Sequence, residues 1–148
     1  MPTFVDHAKN FFPSLIIRSP FHSLMSAKYG ILTFTGRKSG RIYSTPMAYV
    51  REGNRVLLST DSPWHRNLTG GAPVTLLLRG RTVQGVATPV SDPAEGAAIL
   101  RTLVDAIPSY AGPAELATEN GRVPDAEIAR AVTTGGRVSI AVELGAGQ

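Results

Sequence analysis

The chain contains no cysteine, which removes disulfides, thiolate metal sites and cysteine nucleophiles and fits a reducing compartment. No apolar run approaches the roughly 20 residues needed to span a bilayer. The N-terminus lacks a signal-peptide pattern: Leu15-Ile16-Ile17 is too short and is flanked by Pro13 and Arg18. A cytoplasmic location is the resulting expectation. The histidines, His7, His22 and His65, are dispersed, with no two at metal-ligand spacing. Asp61 and His65 are four apart, but Pro63 lies between them and no third ligand is evident, so no metal is expected. Neither a Gly-x-Ser-x-Gly elbow nor a Gly-x-Gly-x-x-Gly dinucleotide turn occurs. With no catalytic constellation in view, the expectation is a binding site whose ligand carries the chemistry.

Acidic residues are scarce in one half only. Residues 1–81 hold 3 Asp/Glu against 11 Lys/Arg, whereas residues 82–148 hold 8 against 4. A basic half attracts nucleic acid, an anionic lipid surface or an anionic small molecule. No nucleic-acid motif accompanies the charge, so nucleic acid is not an expected partner. At 148 residues, 43% hydrophobic and 18% charged, the chain is long enough to bury a core and reads as one globular domain over 1–148.

Taken in order, Phe4, Ala8, Phe11 and Phe12 share one side of a short helix over residues 2–12, which Pro13 ends. Pro20 to Lys28 read as a second helix, with Phe21, Leu24 and Met25 inward and Tyr29-Gly30 as a glycine C-cap signal. This N-terminal segment, residues 1–30, is expected to cover the barrel described next; covering a ligand and touching a membrane surface are the other readings. Strands follow over Ile31–Thr35, Ser44–Arg51 and Arg55–Ser59, the last two joined by the turn Glu52-Gly53-Asn54. Pro46 marks its strand as an edge or a bulge, since proline cannot donate to a ladder. Ser62-Pro63 starts a short helix through Trp64, His65 and Asn67. Val74–Leu78 and Thr82–Thr88 make a hairpin across Arg79-Gly80-Arg81. Asp92 caps a helix with Pro93 first and Glu95 in the capping-box position, and its apolar residues Ile99, Leu100, Leu103, Val104 and Ile107 keep helical spacing. Residues 108–124 read as a loop, Asp125–Val132 as a short helix and Arg137–Leu144 as a last strand. The fold class is therefore mainly β with flanking helices: about six antiparallel strands closed into a small barrel.

The stretch Thr35-Gly36-Arg37-Lys38-Ser39-Gly40-Arg41 sits between two strands and concentrates three cations and a hydroxyl with no acid nearby. Two glycines permit a tight turn with exposed N–H groups, a combination suited to a phosphate or carboxylate. The alternative is a solvated basic turn with no ligand.

The run Leu32-Thr33-Phe34-Thr35-Gly36-Arg37-Lys38-Ser39-Gly40-Arg41, then Thr45-Pro46, then Trp64-x-x-Asn67-Leu68, resembles the deazaflavin-dependent nitroreductase family of the flavin/deazaflavin oxidoreductases, over roughly residues 29–90. The resemblance implies a six-stranded antiparallel split β-barrel of the flavin-binding, pyridoxamine-phosphate-oxidase-like type. It implies coenzyme F420 as cofactor, with FMN as the alternative, and a hydride passed from the reduced deazaflavin to an activated acceptor such as a quinone, an enone or a nitro compound. On that resemblance Arg37, Lys38, Ser39, Gly40 and Arg41 hold the anionic tail. Ser44, Thr45, Pro46 and Met47 lie along the ring, and Ser59, Thr60, Trp64 and Asn67 close on the phosphate and ring. The proton comes from solvent, Tyr43 or Tyr110, and Tyr110, in the proline-rich loop, reads more readily as a surface or packing tyrosine than as a donor. The sequence departs from the pattern at Ile42-Tyr43, where a proline and an arginine are common, and in the short loop before Trp64, which lacks a lysine and carries Asp61. The expected partners are a small-molecule acceptor, the membrane surface through residues 2–28, and a second copy in a homodimer. The competing function is a non-enzymatic binder of a fatty acid or other apolar anion, with Phe11, Phe12, Phe21 and Met25 lining its pocket.

Overall fold

The computed structural model describes residues 29–145; the expectations for residues 2–28 lie outside the described residues. One antiparallel sheet organises the rest. Its strands are β1 (Tyr29–Thr35), β2 (Ile42–Ala48), β3 (Val50–Glu52), β4 (Arg55–Thr60), β5 (Ala72–Leu78), β6 (Arg81–Pro89) and β7 (Val138–Leu144). They lie in the order β2-β1-β5-β6-β7-β4-β3. A 3-10 helix over Pro63–Leu68 follows β4, and two α-helices, α1 (Pro93–Ala106) and α2 (Asp125–Thr133), separate β6 from β7.

There are seven strands rather than six, because the run expected as one strand over Ser44–Arg51 is two. β2 pairs with β1 at one edge of the sheet and β3 pairs with β4 at the other, and only Tyr49 lies between them. One residue advances the chain by less than about 4 Å. Opposite edges can be joined by so short a link only if the sheet curls until they meet, which makes it a split barrel and leaves few open edges. Pro46 sits opposite Ile31 in the edge strand β2, where its missing N–H breaks no ladder.

Tyr29 and Gly30 belong to β1 rather than to a helix end. A Cβ on Gly30 would lie 2.5 Å from the Leu77 carbonyl oxygen, so this glycine lets β5 approach β1 and is not a cap. The turn between β5 and β6 holds Arg79 at φ 52 and Gly80 at φ 78, the two left-handed residues of a tight hairpin.

Alternation divides the apolar residues between two cores. Leu32, Phe34, Val56, Leu58, Leu76, Ile140 and Val142 fill the barrel. The opposite face of β4 and β7, through Leu57 and Ala141, packs beneath Ile99, Leu100, Leu103 and Val104 of α1. β4 and β7 are thus covered on both faces, which is why Val56-Leu57-Leu58 is continuously apolar. Asp92 caps α1 as expected, accepting from the Glu95 N–H at 3.0 Å. The segment 108–124 holds a short 3-10 turn, Pro108–Ala111, and an isolated bridge between Glu119 and Arg122. Among the described residues no helix is long and apolar enough to cross a membrane.

Candidate cofactor cleft and adjoining cavity

The basic turn joins β1 to β2 and is closed by its own backbone. Gly36 N–H donates to the Arg41 carbonyl at 2.7 Å, and Gly40 N–H donates to the Gly36 carbonyl at 2.8 Å. The Arg41 N–H donates to Ser39 Oγ at 3.1 Å. Asn67 fastens the turn from outside: its Oδ1 accepts from the Arg37 N–H at 3.0 Å while its Nδ2 donates to the Trp64 carbonyl at 3.0 Å. The N–H groups of Lys38 and Ser39 are left without a partner among the described residues. The two glycines serve different needs. Gly40 has φ 73, a conformation L side chains rarely adopt, whereas a Cβ on Gly36 would lie 2.8 Å from both Ser39 Oγ and Tyr43 Cε2.

Beside the turn is a cleft of about 570 Å³ that brings together Arg37, Lys38, Ser39, Tyr43, Ser44, Thr45, Trp64 and Asn67. Phe34 also lines it and stacks on Tyr43 (centroids 5.7 Å apart) and on Trp64 (5.4 Å). Trp64 both packs against the barrel core and lines the cleft. The Ser44 hydroxyl is engaged with Thr33 Oγ1 at 2.8 Å. Arg66 joins Arg37 and Lys38 on the wall, whereas Gly40 and Arg41 line neither this cleft nor the cavity beside it. Burial, and then the Arg66 charge, lower the pKa of neighbouring His65 and favour its neutral form.

A second cavity of about 440 Å³ adjoins the first, sharing Thr45, Ser62 and Trp64 with it. Pro46, Met47, Ser59, Thr60 and Tyr110 line this one. Met47 is also part of the barrel core. Tyr110 is buried; its hydroxyl donates to the Ser59 carbonyl at 3.2 Å and accepts from Arg137 Nη1 at 2.7 Å. Of the two tyrosines, Tyr43 faces the cleft, its hydroxyl 3.4 Å from Ser39 Oγ, and Tyr110 is held inside the fold. Asp61 does not stand alone, lying 3.8 Å from Arg137. Tyr29, Phe34, Ser62, Arg66 and Arg137 are among the lining residues that sequence reasoning missed. For Arg137 one signal existed: a lone cation entering an apolar strand straight after Gly135-Gly136.

Three features thus meet at one cleft: two backbone N–H groups unpaired among the described residues, cationic side chains and stacked aromatic rings. A flat cofactor with an anionic tail fits this set, the N–H groups and cations suiting its charge and the stacked rings its plane.

Solved structures with this fold include an F420-H2 dependent reductase (17% identity, TM-score 0.55, covering 78% of this chain and 94% of that one). An F420 reductase is similar at 21% identity and TM-score 0.51, covering 85% and 93%. A conserved hypothetical protein of Mycobacterium tuberculosis is similar at 18% identity and TM-score 0.59, covering 83% and 76%. These identities show the fold alone. No curated protein matches the sequence. The model of the F420H(2)-dependent quinone reductase family matches residues 21–121. The chain belongs to that family: it is an oxidoreductase whose cofactor is coenzyme F420, and its curled sheet has the split-barrel fold of those solved structures.

Proposed function

We propose that the chain reduces a quinone-type acceptor, with the cofactor in the 570 Å³ cleft and the acceptor in the cavity that shares Thr45, Ser62 and Trp64 with it. The observation that carries this reading is the adjacency of the two spaces. One is walled by Arg37, Lys38 and Arg66, while the other is lined by Tyr29, Met47 and Tyr110 with Arg137 as its cation. Enones and nitro compounds are the other acceptors of the same reactivity.

Arg37, Lys38 and the free N–H groups of Lys38 and Ser39 would hold the anionic tail; Phe34, Tyr43 and Trp64 would support the ring. When bound, F420H2 supplies a hydride. The protein's part is positional. Asn67 fixes the distance between the turn and the helix that carries Trp64, and the Phe34–Tyr43–Trp64 stack keeps the floor flat and excludes water from one side. The Tyr110 hydroxyl is already donated to Ser59, and Tyr43 lines the cofactor cleft rather than the acceptor cavity, so the proton comes from solvent.

The test is titration of the purified chain with F420, FMN and a fatty acid, followed by turnover of a naphthoquinone, a cyclohexenone and a nitroaromatic by the F420H2-loaded protein. Micromolar or tighter F420 binding with the quinone as fastest acceptor is expected. Faster reduction of the nitroaromatic would shift the acceptor class, and fatty-acid binding without F420 binding would replace the enzyme by an apolar-anion binder.

A further inference from the structure

We propose that Arg137 makes the second cavity an anion-stabilising one, which selects conjugated carbonyl acceptors whose oxygen becomes negative on reduction. The inference rests on the reading of that cavity as the acceptor side.

Arg137 is only 8% exposed. A guanidinium removed from water to that degree ordinarily meets a carboxylate at hydrogen-bond distance, since its desolvation must be offset. Here it does not. Nη1 donates to Ser59 Oγ at 3.0 Å and to the Tyr110 hydroxyl at 2.7 Å, and the guanidinium carbon lies 5.7 Å from the centre of the Tyr110 ring. These partners are neutral: they fix the fork without cancelling its charge. Among the described residues Nη2 has only the Asp61 carboxylate, 3.8 Å away on a side chain 68% exposed, too far for a hydrogen bond. Among the described residues no other acid lies within ion-pair distance of Arg137. The cation is fixed, desolvated and short of an anion, and it lines the cavity together with Thr60, Ser62 and Trp64. Those are the conditions under which a preorganised charge acts most strongly on a developing oxyanion.

The chemistry supplies that oxyanion. When a quinone accepts a hydride, one hydrogen nucleus with two electrons from the reduced cofactor, which is oxidised in the same step, a new bond to hydrogen forms in the acceptor. A π pair moves onto a carbonyl oxygen, and a proton from water completes the hydroxyl. Nη2, held only loosely by Asp61 at 3.8 Å, is the donor that remains for such an oxygen, and Asp61 gives way to it.

Two ligands separate charge from shape: 2-hydroxy-1,4-naphthoquinone, ionised near neutral pH, and uncharged 1,4-naphthoquinone, each titrated by absorbance into the F420-loaded protein. Arg137→Met should weaken the ionised ligand about tenfold or more, the scale of a lost charge-assisted hydrogen bond, and leave the uncharged one and F420 within about twofold. Asp61→Asn removes the competing carboxylate from an exposed position and should tighten the ionised ligand by about threefold. Equal loss of both ligands, no loss of either, or loss of F420 affinity with both quinones unaffected overturns the role of Arg137. If Arg137→Met does not fold, Asp61→Asn decides: unchanged or weaker binding of the anion overturns it. Failure of both quinones to bind the wild type defeats the acceptor-side reading itself, whereas binding indifferent to residues 61 and 137 defeats only the role of the guanidinium.

Discussion

Replacing Arg37 and Lys38 together by alanine removes charge from the basic turn without touching its scaffold. The hydrogen bonds that close the turn and fasten it to the 3-10 helix run between backbone atoms, Ser39 Oγ and Asn67. Neither side chain forms a salt bridge among the described residues. Stability should therefore stay within about 0.5 kcal/mol of the wild type. Both residues are exposed, so each charged contact with a polyanionic tail is worth about 0.5–1 kcal/mol at low salt. Losing two gives about 1–2 kcal/mol, a weakening of F420 binding of roughly five- to thirtyfold. At about 1 M salt the Debye length falls to about 3 Å, and the same pair of mutations should cost less than about threefold. FMN, which lacks the tail, should lose little at either salt. The assay is fluorescence titration of F420 into wild type and double mutant at both ionic strengths, with a thermal melt as the folding control. An unchanged affinity in the folded mutant at low salt would place the tail elsewhere. An equal loss at both salts would show that the contacts are not the exposed charge pairs inferred here.

Two further predictions test the turn and a distant ion pair. Gly36→Ala would place a methyl carbon 2.8 Å from Ser39 Oγ and Tyr43 Cε2; the first can rotate away, but Tyr43 is stacked on Phe34, so a loss of about 1–3 kcal/mol is expected. That lowers Tm by roughly 2–10 °C for a chain of this size, and an unchanged melt would show that the turn yields freely. Glu127 accepts two hydrogen bonds from Arg130 and one from the Ala117 N–H, in that order of influence lowering its pKa from 4.5 to about 2. The folded value lies below the unfolded one, so the contribution is fully present above about pH 5 and is lost as pH falls from 4.5 through about 2. The gap in urea stability between wild type and Glu127→Gln should be constant near neutrality and narrow over that acid window; a gap indifferent to pH would refute the linkage.

The sequence determined by itself whatever depends on neighbours in the chain. Asp92-Pro93 with Glu95 starts a helix because the cap, the fixed φ and a first-turn acid lie within one turn. Arg79-Gly80 makes a hairpin because a left-handed pair matches strand twist. The Gly-Arg-Lys-Ser-Gly turn was legible as a candidate anion site from glycine spacing and a local excess of cations. Resemblance over the same residues then supplied the cofactor. Tertiary structure decided the rest. Tyr49 divides an apparently continuous strand because the sheet closes on itself, a property of all seven strands that no local window contains. Gly30 proved to be a point of contact with β5, not a cap. Asn67 proved to be the fastener of a turn 30 residues earlier. Arg137 reaches Ser59, 78 residues away, because β4 and β7 pair with Ser59 opposite Ser139. A one-residue slip in that register would turn each side chain of β7 to the opposite face, and the cation with them. Local preferences fix backbone angles and faces; which face meets which is set only when the register closes the barrel.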